Sequence, residues 1–304
     1  MKTSNSAESG AQRGCQLFSA TSGGPVPLAA APGVSELNDA FDELPLGIYE
    51  GLRTVDRTRL VALPEHLQRA ERSLTRLGWS IELDRSVLCS CLATILANVT
   101  ETDSRVRFDI LSETLDTPNG PTRVVVGIAP LTLPSASAYR DGVGIQLLRE
   151  LERGAPLIKD ASFVVERRPF PLGAPEAFER LLVGRSGRLL ECTASSFFGV
   201  RGGTIHTAGD GVLEGVTAGI VARIAGHASI DFVERDLSTN DLATLDEAFL
   251  TSSIKGVVPI VRVDGRPIGA GSPGPVTQQL MKGYADYIQS QARPALDAVD
   301  VTRS

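Results

Sequence analysis

Cysteine, lysine and histidine are all scarce in this 304-residue chain, and the scarcity narrows what it can do. The four cysteines, Cys15, Cys89, Cys91 and Cys192, show no C-x-x-C spacing, so neither a disulfide framework nor a zinc site is indicated. Cys89 and Cys91 read as helix residues in a reducing cytosol. His66, His206 and His227 stand apart from one another, and the sequence offers no constellation for a metal centre or a Ser-His-Asp triad. No apolar run approaches the roughly 18 residues that span a bilayer. The stretch after Lys2 and Arg13 is broken by Pro25, Pro27 and Pro32, which disqualifies it as a signal-peptide core and predicts a cytoplasmic chain. Excess positive charge is missing too. A formal net charge of −6 gives no electrostatic reason to bind nucleic acid or an anionic membrane, so a small molecule is the default partner.

What remains is a globular composition, 42% hydrophobic and 22% charged, long enough for two domains. Residues 1–43 are rich in Ser, Gly, Ala and Pro without a period and are expected to form a disordered or loosely packed extension. From Leu44 the pattern becomes regular. Pro64, Leu67, Ala70, Leu74 and Leu77 predict a helix that Gly78 ends, and a second helix follows over about Leu83 to Asn98. Arg105 to Leu111 and Arg123 to Ile128 read as strands, which makes 44–150 a small α/β domain. A charged Gly-Ala-Pro stretch over 151–156 is the expected linker. Residues 157–290 read as consecutive hairpins around a helix over about Gly215 to Ala225, with a closing helix over about Val276 to Ile288 and a tail over 291–304. The expected class is therefore α+β.

Only four of the 30 basic residues are lysines, at positions 2, 159, 255 and 282, so a retained lysine invites a reason. Lys159 follows the apolar Pro156-Leu157-Ile158, and burial there would lower its pKa and sharpen it as a nucleophile toward a carbonyl. On this feature alone, a surface lysine after a linker remains the alternative.

Six segments then fall in a recognisable order. Gly47-Ile48-Tyr49-Glu50-Gly51-Leu52-Arg53 precedes Glu65-His66-Leu67-Gln68-Arg69 and then Lys159. Glu191-Cys192-Thr193-Ala194-Ser195-Ser196-Phe197-Phe198, Leu213-Glu214-Gly215-Val216-Thr217 and Asp246-Glu247-Ala248-Phe249-Leu250-Thr251-Ser252-Ser253 follow. The series resembles the class IV aminotransferases, the fold-type IV pyridoxal-phosphate enzymes that include branched-chain and D-amino acid aminotransferases and aminodeoxychorismate lyases. The resemblance runs from about Leu44 to Ile288.

That resemblance implies a small N-terminal α/β sandwich domain, a larger C-terminal domain of hairpins with helices, pyridoxal 5′-phosphate as cofactor, and a homodimer. It implies a Schiff base on Lys159, Glu191 at the pyridine nitrogen, and Arg69, the helix start Gly215-Val216-Thr217 and Ser252-Ser253 around the phosphate. Ser196, standing where the family commonly has Asn, belongs to the same cofactor set. Tyr49, Arg105 and Arg107 are the expected substrate contacts, with Asp109 on the face of Arg105 and Arg107, because residues two apart on a strand point the same way. A solvent-facing salt-bridged strand is the alternative for that face. No metal is expected, and His66 is read as supporting the helix near Arg69. Ala218 stands where Arg often follows the helix start, and the family's N-terminal strand is not recognisable. The activity implied is amino transfer between an amino acid and a 2-keto acid, with aminodeoxychorismate-type elimination of pyruvate, or binding without turnover, as alternatives.

Overall fold

The computed structural model describes residues 14–29, 34, 36–173 and 177–299, which build two sheets. In chain order the elements are β1 (Gln16–Thr21), β2 (Gly24–Leu28), β3 (Gly47–Val55), β4 (Arg59–Leu60), α1 (Leu63–Leu77), α2 (Arg85–Ala97), β5 (Ser104–Leu115), β6 (Thr122–Pro130), α3 (Ala136–Arg140), β7 (Val143–Leu148) and α4 (Ser162–Glu166). They continue with β8 (Ala177–Val183), β9 (Leu189–Cys192), β10 (Ser196–Arg201), β11 (Thr204–Thr207), α5 (Val216–His227), β12 (Phe232–Glu234), β13 (Glu247–Ser252), β14 (Gly256–Val263), β15 (Arg266–Pro267), α6 (Pro275–Gln291) and β16 (Arg293–Pro294). The first sheet is antiparallel throughout, in the order β16-β4-β3-β5-β6-β1-β2. The second runs β12-β11-β10-β13-β14-β7-β8-β9, with β15 on β14, and is mixed because β7 lies parallel to both β14 and β8 and β12 lies parallel to β11.

Helix α1 forms where the spacing predicts it. Pro64 sits in its first turn, and Gly78 takes a left-handed φ of 67° and donates its N–H to the carbonyls of Leu74 and Thr75. Asp84 caps α2 by accepting from the Val87 N–H. Leu67, Ala70 and Leu74 of α1 and Leu88, Leu92 and Ile95 of α2 share one core with Ile48, Leu52, Val106, Phe108 and Ile110 of the first sheet. The same buried face of α1 also carries His66, Arg69 and Ser73. A second core joins α5 and α6 to Phe198, Phe249 and Val257 of the second sheet, and reaches Val55 of β3 and Val61 just after β4. No helix among the described residues is long and apolar enough to cross a membrane.

Three expectations change. Within the supposed extension, β1 pairs with β6 and β2 closes the sheet's edge, while Leu37, Ala40 and Phe41 bury themselves against Leu17, Leu111 and Val125. Pro25 and Pro27, which argued for a loose segment, are tolerated because β2 is an edge strand whose outer side needs no N–H donor. A strand at the N-terminal side, unrecognised in the sequence, is thus present; residues 1–13, 30–33 and 35 lie outside the described residues. The second half is not only hairpins, since β8-β9 and β10-β11 turn back locally but β7 inserts between strands from distant parts of the chain. Finally, the expected tail folds back: β16 pairs with β4, and Ala295 and Ala298 join the core of α1 and α2. Residues 300–304 lie outside the described residues.

Gly127 of β6 is the point on which the Leu37–Phe41 cover rests, because a Cβ there would come within 2.6 Å of the Phe41 ring and 2.9 Å of Leu37 Cδ1. Gly127→Ala should therefore cost about 1–3 kcal/mol through overpacking and open residues 36–42 to protease. A denaturation midpoint and a cleavage pattern identical to the parent's would contradict this packing.

Candidate active site

A cavity of about 480 Å³ is lined by side chains from both sheets, α1 and the start of α5. Lys159 reaches it from a segment docked on β3 by backbone hydrogen bonds. Tyr49 N–H donates to the Lys159 carbonyl (2.9 Å), and Ala161 N–H donates to the carbonyl of Gly47 (2.8 Å). On its other side Gly47 permits the close pairing of β3 with β5, for a Cβ there would lie 2.1 Å from the Ile110 carbonyl oxygen. The Lys159 ammonium nitrogen stands 4.9 Å from the centroid of the Tyr49 ring. Burial, reinforced by Arg69 and Arg153, pulls its pKa below the usual lysine range against the opposing pull of Tyr49 and Glu50. Burial alone would raise the Tyr49 phenol, yet the surrounding charges of Lys159, Arg167, Arg107 and Arg153 bring it below the ordinary value.

Glu191, at the end of β9, is buried beside that lysine. Burial raises its pKa, opposed by Arg153, Lys159 and the Leu213 N–H. Arg153 Nε lies 2.8 Å from Glu191 Oε1, and its guanidinium stacks 3.9 Å from the centroid of Phe163. The pair is close but poorly aligned: neither of these buried atoms completes a hydrogen bond. The loop after Glu191 is clasped from below by Glu179, which accepts from the Ala194 N–H (2.6 Å), Ser195 Oγ (2.8 Å) and Lys255 Nζ (2.5 Å).

Beside them the cavity has the makings of an anion cradle. Helix α5 starts at Gly215 with no side-chain cap, leaving its first N–H groups open and its dipole's positive end at the cavity wall. Arg69 joins it, donating to the Glu214 carbonyl (3.1 Å) and held by two hydrogen bonds to Glu50, at 2.9 and 2.6 Å. His66 Nδ1 meets the same carboxylate at 2.6 Å, while its Nε2 faces Ser253 Oγ at 3.2 Å. Thr217 Oγ1 is 3.5 Å from that serine hydroxyl. Burial would raise the pKa of Glu50, but Arg69 and His66 win and bring it from 4.5 down to about 2. Burial lowers His66.

Tyr49, Arg69, Arg105, Lys159, Glu191, Ser196, Gly215, Val216, Thr217, Ser252 and Ser253, singled out in the sequence, all line this one cavity. Arg107 does not. It makes a two-pronged ion pair with Asp109 at 2.7 and 2.6 Å, between the rings of Phe41 and Tyr49, so its charge is consumed within the sheet. The structure adds Glu50, Arg153, Arg167 and the Glu179-Lys255 pair, none of which the motifs had assigned. For Glu50 a signal existed: it alternates with Ile48 and Leu52 on a buried face, and His66 and Arg69 lie three apart on a helix. Arg153 and Arg167 sit in segments without a period and gave none.

A family model described as amino-transferase class IV matches residues 47–263. A branched-chain-amino-acid aminotransferase of Pseudomonas aeruginosa is 30% identical over 158 residues, covering 52% of this chain and 50% of that enzyme. A D-alanine aminotransferase of Staphylococcus aureus is 31% identical over 110 residues, 36% of this chain and 39% of its own. The chain thus spans half or less of the length of these two relatives. A D-alanine aminotransferase of Staphylococcus haemolyticus matches more extensively, 81% of this chain and 89% of that one, at 23% identity. The fold is that of a T.th. branched-chain amino acid aminotransferase solved with pyridoxamine 5′-phosphate, at a TM-score of 0.76 with 22% identity over 94% of this chain and 97% of that one. A hypothetical aminotransferase from Mycobacterium tuberculosis in a PLP-bound form superposes at 0.70, with 21% identity over 91% of this chain and 99% of the other.

The Glu50-Arg69-His66 network sets a stability expectation. Glu50→Gln strands the Arg69 charge and should cost about 3–5 kcal/mol at neutral pH. Because the folded pKa of Glu50 is depressed from 4.5 to about 2, its contribution is present above 4.5 and lost as pH falls toward 2. Neutral His66 adds a loss in the same direction below its ordinary 6.5. Urea unfolding across this range should show the parent losing stability between pH 4.5 and 2 more steeply than Glu50→Gln; parallel curves would mean that Glu50 carries no such burden.

Proposed function

Since this chain belongs to the class IV aminotransferase family, we propose that it is a pyridoxal 5′-phosphate-dependent aminotransferase that moves an amino group between an amino acid and a 2-keto acid. The observation that carries the reading is the meeting in one cavity of a lysine of lowered pKa, a buried carboxylate and an uncapped helix start with its arginine.

The residues present fit the cofactor. Glu191 Oε1 is buried without a completed hydrogen bond, so it can accept one from a protonated ring nitrogen. The open N–H groups of α5, Arg69 and the hydroxyls of Thr217 and Ser253 supply the donors that a phosphate dianion takes. Gly215 lets the helix start approach Ser196, whose Oγ would lie 2.6 Å from any Cβ placed there. Val216 and Ser252 complete that wall. The bound cofactor supplies an aldehyde and an electron-accepting ring that makes the substrate's α-hydrogen acidic.

The chain's own groups do the rest. Lys159 would carry the cofactor covalently through Nζ, and its lowered pKa leaves more of it neutral than an ordinary lysine, as attack on a carbonyl requires. Once displaced by the substrate amine, Nζ can take the proton from the substrate's α-carbon and return it on the other side of the transfer. Tyr49 keeps Nζ in place by its ring. Arg153 opposes the rise that burial imposes on the Glu191 pKa, which favours the carboxylate that would hold the ring nitrogen's proton. A homodimer belongs to the same reading, supported by the exposed Leu46 and Val165, which border one depression and invite cover.

Borohydride treatment of the yellow protein followed by peptide mapping should place the pyridoxyl label on Lys159, and Lys159→Ala should lose both label and turnover. Label on Lys255 would overturn the assignment. Glu191→Gln should keep the cofactor and lose at least about a hundredfold in kcat, since the amide cannot stabilise a charged ring nitrogen. Incubation with L- and D-amino acids should change the bound cofactor's absorbance. Release of pyruvate from aminodeoxychorismate, with no response to any amino acid, would replace aminotransferase by lyase.

A further inference from the structure

Behind the cavity wall a chain of hydrogen bonds runs from β3 through α1 to the turn after β13. Glu50 accepts three of them, from Arg69 Nε at 2.9 Å, Arg69 Nη2 at 2.6 Å and His66 Nδ1 at 2.6 Å. An ionised carboxylate only accepts, so His66 Nδ1 must carry a hydrogen. The far nitrogen, Nε2, lies 3.2 Å from Ser253 Oγ. In a neutral imidazole that nitrogen has a lone pair and no hydrogen, so the serine hydroxyl donates to it. The neutral ring is the form its surroundings favour. The side chain is 1% exposed, and burial, with Arg69 of α1 and Lys159, opposes a second proton more strongly than Glu50 of β3 invites it. Helices α5 and α6 bring neutral groups to this point: the Thr217 hydroxyl 3.5 Å from Ser253 Oγ and, beside it, the Tyr284 phenol, whose pKa burial raises.

This wiring leaves the cradle short of both a hydrogen and a charge. Ser253, Thr217 and Arg69 line the cavity, whereas Glu50 and His66 lie behind it. With its hydrogen turned to His66, Ser253 presents lone pairs to the cavity, and lone pairs repel an anion. Ser253 can therefore serve as a phosphate donor only by giving up that bond. Arg69 reaches the cavity as a cation already cancelled by Glu50, so the network meets the roughly two negative charges of a phosphate ester with none of its own. A single proton on Nε2 corrects both deficits. It makes the network positive by one charge, and it lets the imidazolium donate to Ser253 Oγ, which releases the serine hydrogen toward the cavity.

We infer that His66 is a positioning residue of the phosphate cradle: when the anion enters, its Nε2 takes one proton from solvent, donates a hydrogen bond to Ser253 Oγ and turns the Ser253 hydroxyl toward the phosphate. Naming the anion as the cofactor's phosphate rests on the aminotransferase reading; the proton relay does not. Affinity for a dianion is thereby tied to pH. It falls as pH rises through the value that His66 takes in the complex, the sense expected of a base that gains its proton on binding.

The imidazole itself gives the readout. The chain has three histidines, so isotope-labelled histidine yields three sets of ring-nitrogen NMR signals, and His206→Gln and His227→Gln, neither at the cavity, leave the third assigned to His66. One probe, on the full chain freed of cofactor, is sulfate, a dianion that takes up no proton near neutrality; the other is pyridoxal 5′-phosphate. At neutral pH each should move His66 Nε2 from an unprotonated to a protonated signal. Sulfate binding heats measured in buffers of different ionisation heat should show an uptake approaching one proton per chain. Ser253→Ala should weaken sulfate binding about tenfold and leave His66 unprotonated when the anion binds, and Ser253→Thr, which keeps the hydroxyl, should restore both. His66→Gln should abolish the uptake, and Ser253→Ala carries the test if that variant does not fold. A chain that binds sulfate or cofactor with Nε2 unprotonated, or a Ser253→Ala variant with the parent's pH dependence, would overturn the relay and leave the aminotransferase reading standing. Protonation of His66 by sulfate, in a chain whose Lys159 never takes the pyridoxyl label, would sink that reading and leave the relay. A chain that binds neither probe would overturn both.

Discussion

The cavity depends first on a carboxylate that does not line it. Glu50 lies on the helix-covered face of β3, with both oxygens committed to Arg69 and one shared with His66. That pairing joins sheet to helix at the place where Arg69 must present a fixed guanidinium to the cavity. An arginine this deep would be costly unpaired, and an acid this deep would protonate; together each keeps the other charged. Through His66 the network reaches Ser253, and through Arg69 the Glu214 carbonyl ahead of α5, so the donors around the cradle come from three parts of the chain, tied to β3 by one ion pair.

Much of the frame was legible in the sequence because its signals are local. Pro64 and Gly78 bracket α1 by restricting φ at one end and permitting a left-handed turn at the other, and Lys159 stood out because arginine occupies nearly every other basic position. What escaped is non-local. No period in Val143–Leu148 tells that β7 will lie between β14 and β8, since parallel neighbours need not be near in sequence. β2 was hidden by Pro25 and Pro27, which its place at the edge of the sheet absorbs. Arg107 illustrates the same limit within the site: the alternation that put Arg105, Arg107 and Asp109 on one face was right, yet the face alone could not say which arginine Asp109 would neutralise.

Charge is thus settled at one end of the cavity and unsettled at the other. The loop from Glu191 to Ser196 is pinned by Glu179 at Ala194 and Ser195 and by Arg167 at Thr193, so the groups proposed to hold the cofactor are fixed in advance and little ordering remains to oppose binding. Arg167 belongs to both halves of this arrangement. Its hydrogen bond to Thr193 steadies the loop, while its charge, without an acid among the described residues, lines the cavity. A neutral side chain at 167 could serve the first purpose and not the second, and a carboxylate beside it would cancel the second. Among the described residues no carboxylate pairs with Arg167, so one side chain both holds the loop that follows Glu191 and brings its charge to the cavity wall.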